Sequence, residues 1–331
     1  MKLSCIILTM GNRPAELTRA IASTTGLRAA GTQVIVVGNG ADPPPVPADV
    51  TTLRLDRNVG VAAGRNAGVA VATGDVILFL DDDGWYPDPP APPDPAAPSG
   101  PAAPSGPATQ ADRVTPIDRP APSGPRALAG EAGGDGLARH VAGRFAADPA
   151  LAVLAFRVTG PDGGAAGRWH VPRLRAGDPL RSAPATTFSG GACAIRRTAY
   201  LEAGGFPGDF FYLHEEIDLA WRLLDLGYRI EYDAGVRMCH PAEPNSRHAG
   251  FWRLDGRNRT LLARRNLPWP LAALFLLDWL AVTAARQPSA AAVREWLAGF
   301  AEGCAMNPGL RQPLSAATIW RMTRLGRPPV I

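Results

Sequence analysis

Lysine is almost missing from this chain of 331 residues, since Lys2 is the only one, and cysteine is scarce. The four cysteines are widely separated: Cys5, Cys193, Cys239 and Cys304. They include no CxxC pair and form no His/Cys cluster at metal-ligand spacing, so the sequence indicates neither a disulfide framework nor a zinc site. A reducing compartment, the cytoplasm, fits this cysteine usage best.

Long apolar segments are absent as well. Residues 3–8 are too few for the hydrophobic region of a secretory signal and lack a cleavage site, so we expect a strand there. The apolar segment 271–285 is interrupted by Asp278 and falls short of the ~20 residues that cross a bilayer. Arginines and tryptophans flank it. Residues 269–286 are therefore expected to contact the inner membrane face peripherally, to pack on the rest of the chain, or to form a homodimer.

Positive charge is concentrated in the C-terminal part of the chain. The net charge is +4, and residues 235–331 hold 13 arginines against 5 acidic residues, so the first 234 residues are net negative. Basic residues interleaved with aromatics on one face are lacking, as is a recognised nucleic-acid-binding module. We therefore expect no nucleic-acid partner.

Four short runs of branched or leucine side chains, each bounded by turn residues, predict buried strands. They are residues 3–8, 34–37, 52–55 and 76–80. Residues 14–23 and 62–72 lie between these runs and are suited to helices. Such alternation predicts parallel pairing in a doubly wound α/β sheet, whose ligands bind beyond the carboxyl ends of the strands.

A proline-rich stretch interrupts this pattern. Residues 87–125 consist largely of Pro, Ala, Gly and Ser and hold little that could be buried, which predicts a disordered insertion at the rim of the sheet edge. The pattern resumes with helices at 136–147 and 218–226 and after 268, and with strands at 151–158, 228–232 and 236–239.

Three consecutive carboxylates, Asp81, Asp82 and Asp83, follow the apolar strand predicted at 76–80. Adjacent acids repel each other, so their place at a strand end predicts a neutralising cation. A hard divalent ion, Mg²⁺ or Mn²⁺, is the natural partner and would in turn hold a diphosphate. The alternative, a solvated acidic turn, is disfavoured by the buried strand before it.

Glycines cluster at the start of the helix predicted at 62–72. The segment reads Asn58-Val59-Gly60 and then Gly64-Arg65-Asn66-Ala67-Gly68. Glycine lets the backbone approach a ligand, a helix N-terminus favours phosphate, and an arginine supplies a forked donor for phosphate oxygens. The alternative is that these glycines serve close packing only.

A second acidic motif, Glu215, Glu216 and Asp218, follows three aromatic residues at 210–212 and precedes an amphipathic helix. Burial and like charge would tune the pKa of one of these carboxyls for general-base catalysis. The alternative is that the acids only complement the helix dipole.

In this order, the motifs resemble those of the family 2 glycosyltransferases with the GT-A fold. The segments that carry the resemblance are residues 6–13, 58–60, 64–68, 74–75, 79–83, 190–192, 204–206 and 215–218. It covers about residues 2–265. It implies a Rossmann-like, mixed but mostly parallel sheet flanked by helices, with a C-terminal helical appendage. It also implies a metal-dependent, inverting, rhamnosyltransferase-like enzyme, that is, a hexosyl- or deoxyhexosyltransferase. Its donor would be a nucleoside-diphosphate sugar. Its acceptor would be a hydroxyl group, such as one on a lipid-linked glycan of the cell envelope.

The resemblance also implies residue roles. Donor-binding positions are Thr9, Gly11, Arg13, Asn39, Asn58, Gly60, Arg65, Asn66, Asp81, Asp82, Gly190 and Gly191. Metal ligands are Asp83, Asp81 and His240. Glu216 is expected to be the catalytic base, with Glu215 and Asp218 as rivals. Family members commonly carry aspartate where this chain has Asn39, which leaves UDP, dTDP and GDP sugars open.

The expected organisation has four parts. Residues 1–86 form the nucleotide-sugar-binding half, 87–135 the insertion, 136–265 the acceptor-binding half and 266–331 the helical segment. Two other functions remain as alternatives. The first is a sugar-phosphate nucleotidyltransferase, which would need a glycine-rich signature with Arg and Lys near the first strand; that signature is missing. The second is a non-catalytic sugar-binding or scaffold module, which would not need both acidic motifs.

Overall fold

The computed structural model describes residues 1–87, 134–164, 178–241, 250–286 and 289–330. Within these ranges, eight strands form one sheet in the order β3-β2-β1-β4-β7-β5-β8-β6. The strands are β1 (Leu3–Thr9), β2 (Gln33–Asn39), β3 (Val50–Leu55), β4 (Val76–Asp81), β5 (Leu151–Thr159), β6 (Ala183–Ala185), β7 (Ala192–Arg196) and β8 (Arg229–Cys239). The proline-rich stretch predicted as an insertion lies, from residue 88 to its end, outside the described residues.

Helices cover the sheet and continue beyond it. They are α1 (Pro14–Ser23), α2 (Thr25–Ala29), α3 (Gly60–Val71), α4 (Gly134–Ala147), α5 (Arg197–Glu202), α6 (Glu215–Asp225), α7 (Phe251–Asn266), α8 (Trp269–Arg286), α9 (Ala290–Ala305) and α10 (Ala316–Arg324). A 3-10 turn, Gly208–Phe210, precedes α6. The predicted α/β class and the C-terminal helical region are both confirmed.

The N-terminal half of the sheet is parallel. Strand β1 lies between β2 and β4, and β3 extends the sheet beyond β2. Strands β1, β2 and β4 are buried along almost their whole length, because helices cover both faces. Helix α3 packs closely on this half, since a Cβ at Gly64 would lie 2.6 Å from Leu8 Cδ1 and one at Gly68 would lie 2.7 Å from Ile6 Cγ2.

The second half makes the sheet mixed. Strand β7, which the sequence pattern did not reveal, lies antiparallel between β4 and β5, while β5 and β8 are parallel. The two strands predicted at 228–232 and 236–239 form one strand, β8. Its register shifts opposite residues 156–157, and Asp233 Oδ1 accepts a hydrogen bond from the Gly235 amide in the irregular part. The chain thus absorbs its extra residues without leaving the sheet.

Helices α7 and α9 approach closely enough to exclude side chains at three glycines, Gly256, Gly299 and Gly303. A Cβ at Gly256 would lie 2.2 Å from the Trp296 carbonyl oxygen, and a Cβ at Gly299 would lie 1.9 Å from that of Arg253. These helices therefore form a closely packed pair. Among the described helices, none combines the length and hydropathy that a bilayer span requires.

Candidate active site

The acidic triplet lies where β4 ends, at the carboxyl edge of the parallel strands. Trp85, just beyond it, pairs with Cys239 through two backbone hydrogen bonds of 3.0 and 2.8 Å. This bridge holds the turn after β4 against the end of β8. It thereby brings His240 to the triplet, although the two are more than 150 residues apart in the chain.

The three aspartates face different partners. The Asp81 Oδ1 atom accepts a 2.7 Å hydrogen bond from Arg65 Nη2, and Asp82 Oδ2 accepts one of 2.7 Å from Thr9 Oγ1. Asp83 is buried, with its Oδ1 atom 3.0 Å from His240 Nε2, and its Oδ2 atom is paired with Arg13. Each carboxylate of the triplet therefore has its own partners, which reduces the repulsion between the adjacent carboxylates.

The carboxyl pKa values follow from these contacts. Burial acts to raise the pKa of Asp83, but the hydrogen bond and charge of His240, together with the charge of Arg13, lower it to about 2. Burial raises the pKa of Asp82 to about 6, opposed by Thr9 and assisted by the other two aspartates. Burial acts to lower the pKa of His240, yet its hydrogen bond to Asp83 and the negative charges raise it to about 9.

Asp81, Asp83 and His240 suit a divalent cation. One ligand atom from each of them lies within 4.8 Å of the others, and His240 Nε2 is 4.0 Å from Asp81 Oδ2. Two carboxylates and an imidazole are donors that Mn²⁺ accepts readily and that Mg²⁺ tolerates. The negative charges of these acids favour the protonated, positively charged form of His240. A bound cation would supply that positive charge in place of the proton.

Arg65 connects the two acidic motifs. Its buried guanidinium donates to Asp81 and lies 3.4 Å, through Nη1, from Glu215 Oε1. Burial acts to lower the pKa of Arg65, but these two negative charges raise it overall, so the group stays charged. The predicted glycines Gly190 and Gly191 make room for this pair: a Cβ on the first would lie 2.4 Å from Arg65 Nη1, and one on the second 1.9 Å from Asp81 Oδ2.

Glu215 and Glu216 form the start of α6, three residues before the helix predicted there. Glu215 is buried, and its Oε2 atom has no hydrogen-bond partner in the described part of the chain. Burial raises its pKa, and Arg65 opposes the increase. For the half-buried Glu216, burial and then the charge of Glu215 raise the pKa to about 8. Both carboxyls therefore hold protons more tightly than ordinary glutamates.

Asp218 has a different environment from its two neighbours. It is fully buried, and its Oδ2 atom accepts from Arg222 Nε at 2.8 Å and from Nη2 at 2.5 Å. Its Oδ1 atom accepts from Asn266 Nδ2 at 2.7 Å. These bonds join α6 to α7 and leave the carboxylate enclosed by its partners.

Three of the predicted donor-binding residues, Asn39, Asn58 and Gly60, form a hydrogen-bonded group. The buried Asn39 donates through Nδ2 to Asn58 Oδ1 at 2.9 Å and accepts from the Val59 amide at 2.9 Å. Asn58 Oδ1 also accepts from the Gly60 amide. Asn39 thus fixes the turn before α3, and its amide is engaged within the protein rather than open to a base edge.

Gly11 and Asn66 have hydrogen-bond partners outside this group. Gly11 adopts a left-handed conformation after β1, and its amide donates to Thr9 Oγ1 at 3.1 Å. Asn66 turns away from the acidic triplet: its Nδ2 atom donates to the Phe206 carbonyl at 2.8 Å, and its Oδ1 atom accepts from the Tyr200 hydroxyl. Its side chain fixes the 200–206 segment against α3.

The loop before the second acidic motif is strained. Phe211, Leu213 and His214 all have φ between 62° and 77°, a region that costs a non-glycine residue on the order of 1–3 kcal/mol. The Phe211 carbonyl accepts from the Val61 amide at 2.5 Å, and a Cβ at Gly60 would lie 2.4 Å from that carbonyl oxygen. This loop therefore touches the start of α3 directly, a contact that sequence reasoning did not anticipate.

Sequence reasoning also missed Arg19. Its guanidinium lies 3.8 Å from the Trp85 ring centroid, and its Nη2 atom donates to the Asp83 carbonyl at 3.4 Å. The spacing of Arg19 on α1 is ordinary for an exposed helix face, so only the position of α1 beside the turn reveals the contact.

The N-terminal part of the chain matches a known protein family. The family model "Glycosyl transferase family 2" matches residues 5–91. Over these residues, the chain is similar to the family 2 glycosyltransferases. The match includes β1, the turn before α3 and the acidic triplet, which are the elements that form the first half of the site.

Two curated relatives are glycosyltransferases by name. The pre-mycofactocin glycosyltransferase of Mycobacterium tuberculosis (strain ATCC 25618 / H37Rv) is 25% identical over 250 residues, which are 71% of this chain and 42% of the relative. The uncharacterized glycosyltransferase YwdF of Bacillus subtilis (strain 168) is 35% identical over 94 residues, 26% of this chain and 34% of the relative. The chain thus spans less than half the length of either protein.

Solved structures share the fold. S. aureus TarS 1-349 superposes with a TM-score of 0.54 at 14% identity, covering 92% of this chain and 81% of that one. GalNAc-T7, crystallised with UDP, GalNAc and Mn²⁺, superposes with a TM-score of 0.55 at 13% identity, covering 98% of this chain and 57% of that one. The predicted GT-A fold is confirmed.

Proposed function

We propose that this chain is an inverting glycosyltransferase, which transfers a sugar from a nucleoside diphosphate to a hydroxyl acceptor and depends on Mg²⁺ or Mn²⁺. One observation carries the proposal: Arg65 bridges Asp81, beside the candidate cation site, and Glu215, beside the candidate base. A leaving diphosphate and an attacking hydroxyl need these two kinds of group next to each other.

The neighbours support a nucleotide-sugar donor. The structure of TarS 1-349 in complex with UDP-GlcNAc has a TM-score of 0.53 to this chain, and the GalNAc-T7 structure contains UDP and Mn²⁺. In this chain, Asp81, Asp83 and His240 are the groups that would hold the cation. Residues 1–86 would then form the donor half of the domain and residues 136–265 the acceptor half.

The charges at the site support a single displacement. Arg65 is held positive by its acidic partners, so it stabilises negative charge that develops on the departing diphosphate. A bound divalent cation supplies Lewis-acid stabilisation of the same charge. Glu216 accepts the proton of the acceptor hydroxyl, which attacks the anomeric carbon from the opposite face and inverts its configuration.

Glu216 is assigned as the base over its two rivals because of its surroundings. It is half-buried, so that an acceptor can reach it, and its pKa of about 8 gives a strong base once the proton is lost. Glu215 faces Arg65, and Asp218 is enclosed by Arg222 and Asn266. The proposed donor sugar is a hexose or a deoxyhexose, and the proposed acceptor is a glycan, a glycolipid or another hydroxyl acceptor of the cell envelope.

Peripheral attachment to an anionic lipid surface accompanies this activity. One face of α8 buries Ala272 and Phe275, while Trp269, Leu274 and Leu277 are 62%, 45% and 64% exposed. The Arg311 guanidinium lies 3.9 Å from the Trp269 ring centroid, so positive charge accompanies the apolar face. The net positive charge of residues 235–331 complements an anionic membrane, which also presents lipid-linked acceptors.

The transferase proposal is tested by incubating the protein with UDP-, dTDP- and GDP-sugars, Mn²⁺ or Mg²⁺, and lipid-linked acceptors. We expect release of one nucleoside diphosphate that stops when EDTA is added and returns with excess cation. Thermal shift with the nucleoside diphosphates identifies the nucleobase, because a ligand stabilises the folded state by RT ln(1 + [L]/Kd). Unchanged turnover in EDTA would disprove the cation dependence, and nucleotide binding without any transfer or hydrolysis would favour a sugar-binding module.

The attachment proposal is tested by flotation with liposomes that contain anionic lipid. Leu277→Glu, in the middle of the exposed face of α8, should reduce the fraction that floats, since a charge on this face opposes insertion. Val71→Glu, an exposed apolar residue on α3, is the matched control. Failure of the wild-type protein to float would disprove attachment, and a dimer that Leu277→Glu dissociates would assign the face to a second copy.

A further inference from the structure

The strained loop that precedes Glu215 receives much of its hydrogen bonding from a distant helix. Asn258 on α7 is fully buried among the loop carbonyls. Its Nδ2 atom lies 2.9 Å from the Phe210 carbonyl oxygen, 2.7 Å from that of Tyr212 and 2.9 Å from that of Leu213. Its Oδ1 atom accepts from Arg257 Nε at 3.0 Å, which is consistent with the amide nitrogen facing the loop.

A second set of contacts holds the last residue of the loop. His214 Nε2 lies 2.8 Å from Asp255 Oδ1, one helical turn before Asn258. Asp255 is buried and also accepts from Trp296 Nε1 at 2.9 Å and from Arg259 Nε at 3.0 Å. Burial acts to raise the pKa of Asp255, but Arg259 and His214 lower it overall, so a carboxylate faces the imidazole.

These contacts have a common geometric effect. Left-handed φ values at Phe211, Leu213 and His214 are unfavourable for side chains with a Cβ, so the surroundings must compensate for them. Asn258 binds carbonyls that this conformation turns toward α7, and Asp255 binds the side chain of the last strained residue. Helix α6 begins immediately afterwards, with Glu215 and Glu216 as its first two residues.

We propose that Asn258 and Asp255 are positioning residues, which hold loop 210–214 in its left-handed conformation and thereby place Glu215 and Glu216 beside Arg65. The catalytic consequence rests on the proposed transferase function. The closely packed pair α7–α9 accordingly supports the loop before the second acidic motif, because Trp296 on α9 donates to the carboxylate that holds His214.

The test uses the full chain and two variants that each remove a hydrogen-bond donor. Asn258→Asp retains the shape of the side chain but replaces the donor Nδ2 with an acceptor oxygen that faces three carbonyls. Trp296→Phe retains an aromatic ring and removes the donor to Asp255. Leu261→Ala, a buried apolar change on the same helix, controls for loss of stability without loss of a hydrogen bond.

Hydrogen exchange measured by mass spectrometry reports how firmly the loop is held, and it does not depend on enzymatic activity. In Asn258→Asp, we expect the amides of residues 210–217 to exchange faster than in wild type, and faster than in Leu261→Ala at an equal distance below each variant's Tm. Trp296→Phe should have a smaller effect in the same peptide. Unchanged exchange of this peptide in Asn258→Asp would overturn the proposal.

Steady-state kinetics measure how a displacement of Glu215 and Glu216 changes catalysis. A displacement of about 1 Å at a catalytic group can cost on the order of 100-fold, so kcat should fall by about that factor in Asn258→Asp. The Kd of the nucleoside diphosphate should change much less than kcat. If kcat falls only as far as in a Leu261→Ala protein of equal Tm, the positioning role is disproved. If the wild-type protein transfers no sugar, the proposed function fails, and hydrogen exchange still decides how the loop is held.

Discussion

The two acidic motifs carry the same functional group, yet the pKa of Asp83 in the first motif and the pKa of Glu216 in the second shift in opposite directions. Asp83 lies between Arg13 and His240, and its pKa falls to about 2, whereas the pKa of Glu216 rises to about 8 beside buried Glu215. Asp83 therefore stays ionised near neutral pH, as the proposed cation ligand must. Glu216 gains and loses a proton at a pH of about 8. A glycosyl transfer needs both properties within one site.

Removing the Asp83 carboxylate should have the largest effect on activity. Asp83→Ala takes away a proposed cation ligand and removes the carboxylate that Arg13 and His240 share. We expect turnover to fall on the order of 10⁴-fold, which corresponds to the several kcal/mol that a catalytic metal supplies. Cation affinity measured by calorimetry should fall with it. Asp49→Ala, at the opposite edge of the sheet, is the control, and retained Mn²⁺ binding in Asp83→Ala would contradict the assignment.

Removing the proton acceptor should have a comparable or smaller effect. Glu216→Gln retains the size of the side chain but cannot take a proton, so kcat should fall about 10²- to 10⁴-fold. Donor binding, followed by thermal shift with the nucleoside diphosphate, should persist. Full activity in Glu216→Gln would transfer the role to Glu215.

The pH profile sharpens the comparison further. A base with a raised pKa is protonated below that pKa, so kcat/KM of the wild-type protein should fall as pH decreases through about 8. The charge of Glu215 contributes to this increase in pKa. In Glu215→Gln, the acidic limb of the profile should therefore move to lower pH, and a limb that stays in place would show that the two carboxyls are not coupled.

The smallest effect on activity is expected at Asp218. Asp218→Asn breaks a buried ion pair with Arg222, and such a loss costs about 3–5 kcal/mol of folding free energy. Urea denaturation should show this loss. At a temperature where the variant is folded, kcat should remain closer to wild type than in Glu216→Gln, and a larger loss in Asp218→Asn would reverse the assignment of the base.

Much of the first half of the molecule was predictable because its signals are local. Apolar runs, glycines and turn residues predicted β1 to β4, α1 and α3 to within a few residues, and parallel pairing then located the acidic triplet at the carboxyl edge. The same reasoning missed β7, because its five residues show no alternation of apolar and polar side chains. It also divided β8 into two, because the irregular residues 233–237 resemble a turn.

The sequence by itself determined the fold class, the edge of the sheet that holds the site and the acids that compete for its roles. Only the tertiary structure decided which partner each side chain faces. Arg65 meets Glu215, 150 positions away, Asn66 turns to Phe206, and Asn258 holds a loop nearly 50 positions earlier. Periodicity and propensity are properties of neighbouring residues, whereas the pKa of a carboxyl depends on groups that are adjacent only after folding.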